Sequence, residues 1–165
     1  MTNAGFAQWS IKQSFLTYLS GLADSSQSVS AGAERLDIGA YRFPLIHGSD
    51  YDAGSGLGVL RFGGDVRLGA HGGAMLVMIA APWVVFCASA AGVAASLSAY
   101  TVIDLSPPRR VDIADRGTVD VREDGTMLRV SGLVLTEAGR ELFGGVYPPG
   151  TEVDAMYIRL GAHPV

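Results

Sequence analysis

The sequence predicts a mainly β domain, an antiparallel β-sandwich or barrel-like sheet with two short α-helices. Three observations support this fold class. The chain has 165 residues, of which 48% are hydrophobic, enough for one continuous core. Between Leu36 and Val134, short β-like runs are separated by Gly, Pro, Asp and Ser. Helical patterns occur only near the two ends. We therefore expect a single domain over residues 1–165, with its core at about 9–160.

The first element is a helix from about Ile11 to Leu22. Apolar residues recur there at spacings of three and four, as one helical face requires: Ile11, Phe15, Tyr18, Leu19 and Leu22. Gly21 lies close to the predicted helix end. The following segment, 23–32, is rich in Ser, Ala and Gly and lacks an apolar period, which predicts a loop or an irregular edge.

Strands occupy the middle of the chain. The predicted strands are Gly39–Phe43, Gly58–Leu68, Met75–Phe86, Val93–Val102, Val119–Arg122 and Met127–Val134, with a last one near Val153–Leu160. Glu123-Asp124-Gly125 predicts a hairpin turn, because Asp-Gly tolerates positive φ. Thr136 can cap a short helix over 137–143, which Gly144 and Gly145 end. The Pro-rich segment 106–110 predicts a rigid loop.

The apolar stretch Ala74–Leu97 has two possible interpretations. It is about as long as the roughly 20 residues that span a bilayer. Pro82 in its middle would cost a helix about 3 kcal/mol, and its valines favour strands. We therefore predict two adjoining strands, broken near 87–92, and no transmembrane segment. Cys87 lies inside this run, which predicts a buried, inert thiol.

Composition excludes several classes of function. The formal net charge is -4 and only 17% of residues are charged, so no basic stripe is available for nucleic acid. A single cysteine excludes an internal disulfide and a Cys-rich zinc site. The chain has no Gly-x-Ser-x-Gly elbow, Walker loop, His-Glu-x-x-His or Rossmann glycine pattern. We therefore predict that the chain is not an enzyme of these classes.

The N-terminal residues 1–8 lack the basic region and the apolar region of a secretory signal. This predicts a cytoplasmic location for the chain as sequenced. A secreted or cell-surface location is the alternative, if a signal was removed from the mature protein.

Three motifs in the same order resemble the haem-transport-associated (HtaA) domain family of actinobacteria. The first is Trp9–Tyr18, similar to a Trp followed by a Ser-Phe-x-x-Tyr helix. The second is Phe62–Gly73, similar to a Phe-x-Gly-x-Val strand and Gly-His-x-Gly, with Ala70 in place of the Gly before the His. The third is Leu135–Gly150, similar to the closing Leu-Thr-x-x-Gly and Phe-Gly-Gly pattern.

The resemblance implies a carrier or buffer that holds ferric haem b in haem acquisition. It implies that Tyr18 is the protein ligand to iron and that His71 is hydrogen-bonded to it. A phenol has a pKa near 10, so a tyrosine binds a metal at neutral pH only where the phenolate is favoured. Ferric iron and a histidine partner both favour it.

Other residues are weaker candidates for this site. Ser14 precedes Tyr18 by four residues, so both side chains would project to one helix face, and Ser14 could donate to a haem propionate. Phe15 and Leu19 could contact the haem ring, although core packing is the alternative that burial statistics favour. His71 could instead stabilise its turn. His47 could approach the other side of the haem, and His163 has no expected role.

Two rival functions remain at this point. One is a haem-dependent, peroxidase-like enzyme, and the other is a haem-free interaction module on the same fold. Both faces of the predicted strand Met75–Phe86 are apolar, whereas the family pattern usually has one polar face. A contiguous apolar patch on a monomer is uncommon, so we predict a homo-oligomer that associates through this face. A loop that folds over the strand is the alternative.

Overall fold

The computed structural model describes residues 4–46 and 49–161, and antiparallel strands dominate it. Strands hold 52% of the residues, which confirms the mainly β class. Two single-turn 3₁₀ helices, His71–Gly73 and Glu123–Gly125, join neighbouring strands. In chain order the strands and α-helices are β1 (Phe6–Trp9), α1 (Gln13–Ser20), β2 (Ser26–Ser30), β3 (Glu34–Arg35), β4 (Tyr41–Pro44), β5 (Tyr51–Asp52), β6 (Leu57–Arg61), β7 (Asp65–Ala70), β8 (Met75–Ser89), β9 (Gly92–Thr101), β10 (Arg109–Arg122), β11 (Met127–Ser131), β12 (Val134–Leu135), α2 (Glu137–Leu142) and β13 (Met156–Arg159).

The strands form one sheet that curls into a nearly closed barrel, so the barrel-like alternative of the prediction is correct. Along the main path of the sheet the order is β2-β7-β8-β9-β10-β11-β13-β1-β4-β3. The short strands β5 and β12 pair with β6 and β10, and β6 also pairs with β8. Side chains alternate between the inside and the outside of such a sheet. The inward set therefore forms the core.

The long strand β8 organises one side of the barrel. One of its edges pairs with β9, and the other pairs first with β7 and then with β6. The change of partner coincides with an irregularity at Ala81, which has a φ of 46°. The Arg110 side chain covers this point, because its Nη2 donates to the Ala81 carbonyl at 2.8 Å and its guanidinium lies 3.8 Å from the centre of the Trp83 ring.

Several predicted strand boundaries were wrong. The predicted strand Gly58–Leu68 is two strands, because Gly64, at a φ of 103°, interrupts it. The predicted strand Val119–Arg122 is the end of the longer β10, in which two register shifts disturb the alternation. Segment 23–32, predicted as a loop or an irregular edge, contains the regular strand β2, which pairs with β7 over all five of its residues; only its place at an edge of the sheet was predicted correctly.

The apolar stretch Ala74–Leu97 forms β8 and most of β9, as predicted. Within the described ranges, no helix is long and apolar enough to cross a membrane. The prediction of a buried Cys87 was wrong, since its thiol is exposed. Val84 and Phe86 are the buried residues of this part of β8, and Cys87 belongs to the outward set with Trp83 and Val85. An apolar run therefore does not distinguish the two faces of a strand.

Elements that depend on local capping or turn chemistry were predicted well. Glu123–Gly125 joins β10 to β11, with positive φ at all three residues. Thr136 accepts the Gly139 N–H at 3.0 Å and so caps α2. The first helix is shorter than predicted, because Ile11 has a φ of 63° and cannot be its first residue.

The core is rich in aromatic side chains and places α1 over one part of the barrel. Its largest fully buried aromatic residues are Trp9, Tyr41, Phe43, Phe62, Phe86 and Phe143. Phe143, just after α2, packs edge-on against Phe15 of α1 with ring centres 5.1 Å apart. Packing of this kind is worth about 0.5–1.5 kcal/mol beyond the buried area. It holds α1 to the barrel with one face left exposed.

Candidate functional site

The start of α1 is fixed by a carboxylate from a distant segment. Lys12 occupies the capping position and makes no capping bond with its side chain. Asp154 takes over this role, since its Oδ2 accepts the Gln13 N–H at 2.8 Å. The Asp154 carbonyl also accepts the Trp9 indole N–H at 2.8 Å. The helix is therefore anchored to the segment that leads into β13.

The two faces of α1 have different surroundings. The buried residues are Phe15, Leu16 and Leu19. The exposed face carries Ser14, Thr17 and Tyr18. Tyr18 is 48% exposed, whereas Phe15 and Leu19 are only 3% and 0% exposed. Phe15 and Leu19 therefore pack in the core, which was the favoured alternative for them. Their contact with a ligand beside Tyr18 stays a prediction, and their burial argues against it.

His71 lies in the tight turn between β7 and β8. It has a φ of 55°, and the next two residues, Gly72 and Gly73, have φ values of 64° and 91°. Glycine adopts this left-handed conformation freely, whereas a residue with a Cβ incurs roughly 1–2 kcal/mol. The His71 side chain is exposed at the tip of this turn. The turn directs it away from the barrel, towards α1.

Tyr18 and His71 meet although 53 positions separate them. Tyr18 Oη lies 3.0 Å from His71 Nε2, within hydrogen-bond distance. The ring centres are 6.3 Å apart and the planes are inclined by 50°, so the contact is a hydrogen bond rather than a stack. A neutral Tyr18 donates to Nε2 when the His71 ring carries its proton on Nδ1, and it accepts from Nε2 when the proton is there. Of the other predicted residues, Ser14 shares the exposed face of α1, and His47 and His163 lie outside the described residues.

Pairing between β2 and β7 explains this meeting. Only the short segment Gly21–Ser25 separates the end of α1 from β2. Ser26 at the start of β2 pairs with Gly69 of β7, two residues before His71. The strand that follows α1 therefore runs beside the strand that leads into the His71 turn. This pairing brings the two side chains to one corner of the barrel.

One contact at this corner was missed by the sequence analysis. Asp24 Oδ2 accepts the N–H of Gly72 at 2.9 Å. The only signal in the sequence is an aspartate within a Ser- and Gly-rich segment, a residue type that often bonds to backbone N–H groups. Nothing in that signal identifies Gly72 as the donor.

Tyr18 differs from Tyr41 and Tyr51 because its side chain is exposed and its hydroxyl has a histidine partner. Burial raises the pKa of Tyr41 and of Tyr51, so their hydroxyl groups ionise less readily. A metal-binding phenol needs both access and a partner that favours its charged form. Tyr18 combines an exposed position with a histidine ring nitrogen at its hydroxyl.

A cleft of about 420 Å³ lies elsewhere, near the Ser89 end of β8. Its lining includes Tyr51, Val93, Val119 and Arg116. The His71 turn adjoins the opposite end of the same strand. The residues that line this cleft include neither Tyr18 nor His71, whereas the corner formed by Tyr18 and His71 holds a phenol oxygen and an imidazole nitrogen within hydrogen-bond distance of each other. We therefore take the Tyr18 corner as the candidate site.

Three solved structures with a similar fold come from the bacterium Corynebacterium glutamicum. The C-terminal domain of HtaA from Corynebacterium glutamicum has a TM-score of 0.76 and 22% identity, with 97% of each chain covered. The N-terminal domain of HtaA from this organism has a TM-score of 0.70 and 20% identity, over 98% of this chain and 99% of that one. The heme binding protein HtaB has a TM-score of 0.67 and 18% identity, over 96% and 92%.

No curated protein matches the sequence significantly. The HtaA family model, in contrast, matches residues 4–159, which is nearly the whole chain. The matched range includes α1 with Tyr18, the His71 turn and the strands that bring them together. This chain therefore belongs to the HtaA family.

Proposed function

We propose that this protein binds ferric haem b at the exposed face of α1, with Tyr18 as the ligand to iron. The observation that carries the proposal is the 3.0 Å contact between Tyr18 Oη and His71 Nε2. Membership of the HtaA family and the fold shared with a heme binding protein support it.

The residues at this corner fit such a cofactor. Bound ferric haem would supply the positive charge that favours a phenolate oxygen. Once Tyr18 is ionised, its Oη is an acceptor only, and the Nε2–H of His71 can donate to it. A partner of this kind fixes the direction of the ligand oxygen and is typical of metal sites in proteins.

Ser14 extends the site along the helix. Its side chain is exposed one turn before Tyr18, and residues four apart on a helix are neighbours on one face. The Ser14 hydroxyl can donate to a haem propionate while Tyr18 reaches the iron. Phe15 and Leu19 lie beneath this face and support it from the core.

The first prediction is that hemin binds with about one-to-one stoichiometry. The expected absorption spectrum is that of a high-spin ferric haem with a tyrosinate ligand, because Tyr18 is the one protein ligand in the proposal. Titration of the purified protein with hemin measures both. A six-coordinate low-spin spectrum, or a heme signal lost on gel filtration, would contradict the proposal.

A carrier or buffer role in haem acquisition follows from the proposed ligand. An anionic oxygen favours ferric over ferrous iron, so reduction is expected to weaken binding and help release. We propose a binding role rather than an enzyme, because the carboxylate at this corner, Asp24, is bonded to the backbone N–H of Gly72 and contributes to the structure of the His71 turn. Sustained peroxide turnover by the hemin-loaded protein would instead favour the peroxidase-like alternative.

We further propose that two copies associate through the outward face of β8. Leu76 on this face is 45% exposed, and Tyr100 on the neighbouring strand β9 is also 45% exposed. The apolar face is smaller than the sequence analysis expected, since Met78 is only 8% exposed. Trp83 is half-buried beneath Arg61 and Arg110. A domain-swapped dimer is known for a histidine-to-alanine variant of the C-terminal HtaA domain, which matches this chain with a TM-score of 0.62.

Leu76→Glu is expected to dissociate this dimer. The substitution places a charge on an exposed apolar position, where it disfavours burial against a second copy. Light scattering at micromolar concentration should give about twice 17.2 kDa for the native protein and 17.2 kDa for the variant. Val121→Glu, at a 56% exposed position on β10, is the control and should remain dimeric. A native protein that is already monomeric would refute this interface.

A further inference from the structure

Asp24 connects the two segments that carry the candidate ligand and its histidine partner. It lies between α1 and β2, and its Oδ2 accepts the Gly72 N–H at 2.9 Å. Gly72 directly follows His71. This hydrogen bond therefore joins the chain leaving the Tyr18 helix to the turn that holds His71.

The register of the sheet explains why Asp24 reaches this turn. Ser26 pairs with Gly69 and Gln27 with Leu68, so the position numbers of paired residues in these antiparallel strands have a constant sum. Two residues before Ser26, this register places Asp24 level with His71. The ladder itself has ended there, because β2 begins at Ser26 and β7 ends at Ala70. The Asp24 carboxylate provides an acceptor where no further strand pairing is formed.

A second turn in the same protein shows that the Asp24–Gly72 hydrogen bond is not needed to form the shape of the turn. Glu123, Asp124 and Gly125 have φ values of 50°, 55° and 87°, close to the values of the His71 turn. Each turn is closed by a backbone N–H three residues on, at 3.1 Å. Among the hydrogen bonds of residues 4–46 and 49–161, none joins the Asp124 N–H to a side chain. The turn shape is therefore intrinsic to this kind of hairpin.

We propose that Asp24 is a positioning residue, which holds the His71 turn against α1 so that His71 stays within hydrogen-bond distance of Tyr18. This inference rests on the proposed haem site and adds a member to it. The turn forms its shape without a carboxylate, so the role of Asp24 is to fix where the turn lies. His71 is exposed, and the aspartate restrains it through the backbone of the next residue.

The test compares Asp24→Ala with Asp24→Asn in the full chain loaded with hemin. Alanine removes the acceptor, and we expect haem to dissociate about tenfold faster, the lower end of the range for partners of a metal ligand. Asparagine keeps an oxygen acceptor and should restore the native dissociation rate and the native tyrosinate spectrum. Asp52→Ala is the control, since Asp52 accepts the N–H groups of Gly54 and Ser55 within its own loop.

A second readout needs no haem. In the ligand-free protein, exchange of the Gly72 amide hydrogen and the nitrogen-15 shift of His71 Nε2 report the two hydrogen bonds directly. Asp24→Ala should speed the exchange and move the His71 signal, while thermal unfolding stays close to that of the native protein. If both signals are unchanged, or if Asp24→Asn behaves like Asp24→Ala, the inference is wrong. If the native protein binds no hemin, the proposed function fails, and these two signals alone decide the role of Asp24.

Discussion

Tyr18→Phe is expected to abolish specific haem binding. The substitution removes only the phenolic oxygen, which is the proposed ligand atom, and keeps the aromatic ring. The loss in affinity should exceed about 100-fold, the upper limit typical of residues that merely support a ligand. The fold should tolerate the change, because the Tyr18 side chain is half exposed and lies outside the core. Hemin titration followed by absorption spectroscopy measures the loss.

A matched control separates ligation from the general effect of removing a tyrosine hydroxyl. Tyr157 on β13 is 41% exposed, and its hydroxyl lies 3.4 Å from the Arg129 Nε. Tyr157→Phe should bind hemin like the native protein. If the tyrosinate spectrum persists in Tyr18→Phe, Tyr18 is not the iron ligand and the assignment must be abandoned.

His71→Ala is expected to weaken haem binding by about 10- to 100-fold while a tyrosinate-like spectrum remains. The alanine variant keeps Tyr18 and removes only the ring that bonds to its oxygen. Because alanine retains a Cβ, the left-handed backbone at this position keeps the same strain. The change therefore reports the side chain rather than the turn. Rates of haem transfer to an excess of apomyoglobin measure it.

Glu123→Ala serves as the control for His71→Ala. Glu123 occupies the equivalent first position of the other left-handed turn, with a φ of 50° against 55° at His71. Its substitution should leave haem dissociation unchanged. The opposite pattern, in which His71→Ala removes all ligation and Tyr18→Phe has no effect, would exchange the two roles.

Features that depend on a few neighbouring residues could be predicted from the sequence. The Glu123–Gly125 turn and the Thr136 cap rest on backbone preferences and hydrogen bonds within three or four positions. The amphipathic helix around Tyr18 rests on spacing alone, and Phe15 and Leu19 of its predicted apolar face are buried, whereas Tyr18 is half exposed. The order of three motifs indicated the HtaA family, which the match over residues 4–159 confirms.

Features that depend on strand partners could not be predicted. Cys87 is exposed because of the face of β8 on which it lies, and an apolar run contains no alternation from which to infer that face. The predicted strand Gly58–Leu68 is divided at Gly64, and its two halves pair with different parts of β8. β2 has nearly all its side chains exposed, so burial imposed no apolar pattern on it.

The candidate site likewise combines features that depend on neighbouring residues with features that depend on strand pairing. By itself the sequence determined which groups are available, a tyrosine on a short helix and a histidine in a glycine-rich turn, because helix and turn are local structures. Only the tertiary structure decided that Tyr18 Oη and His71 Nε2 lie 3.0 Å apart. The pairing of β2 with β7 brings them together, and the Asp24–Gly72 bond joins their segments beyond that ladder. An apolar pattern specifies register only where one face of a strand is buried, and nearly all β2 side chains are exposed, so the sequence of β2 does not encode its pairing with β7.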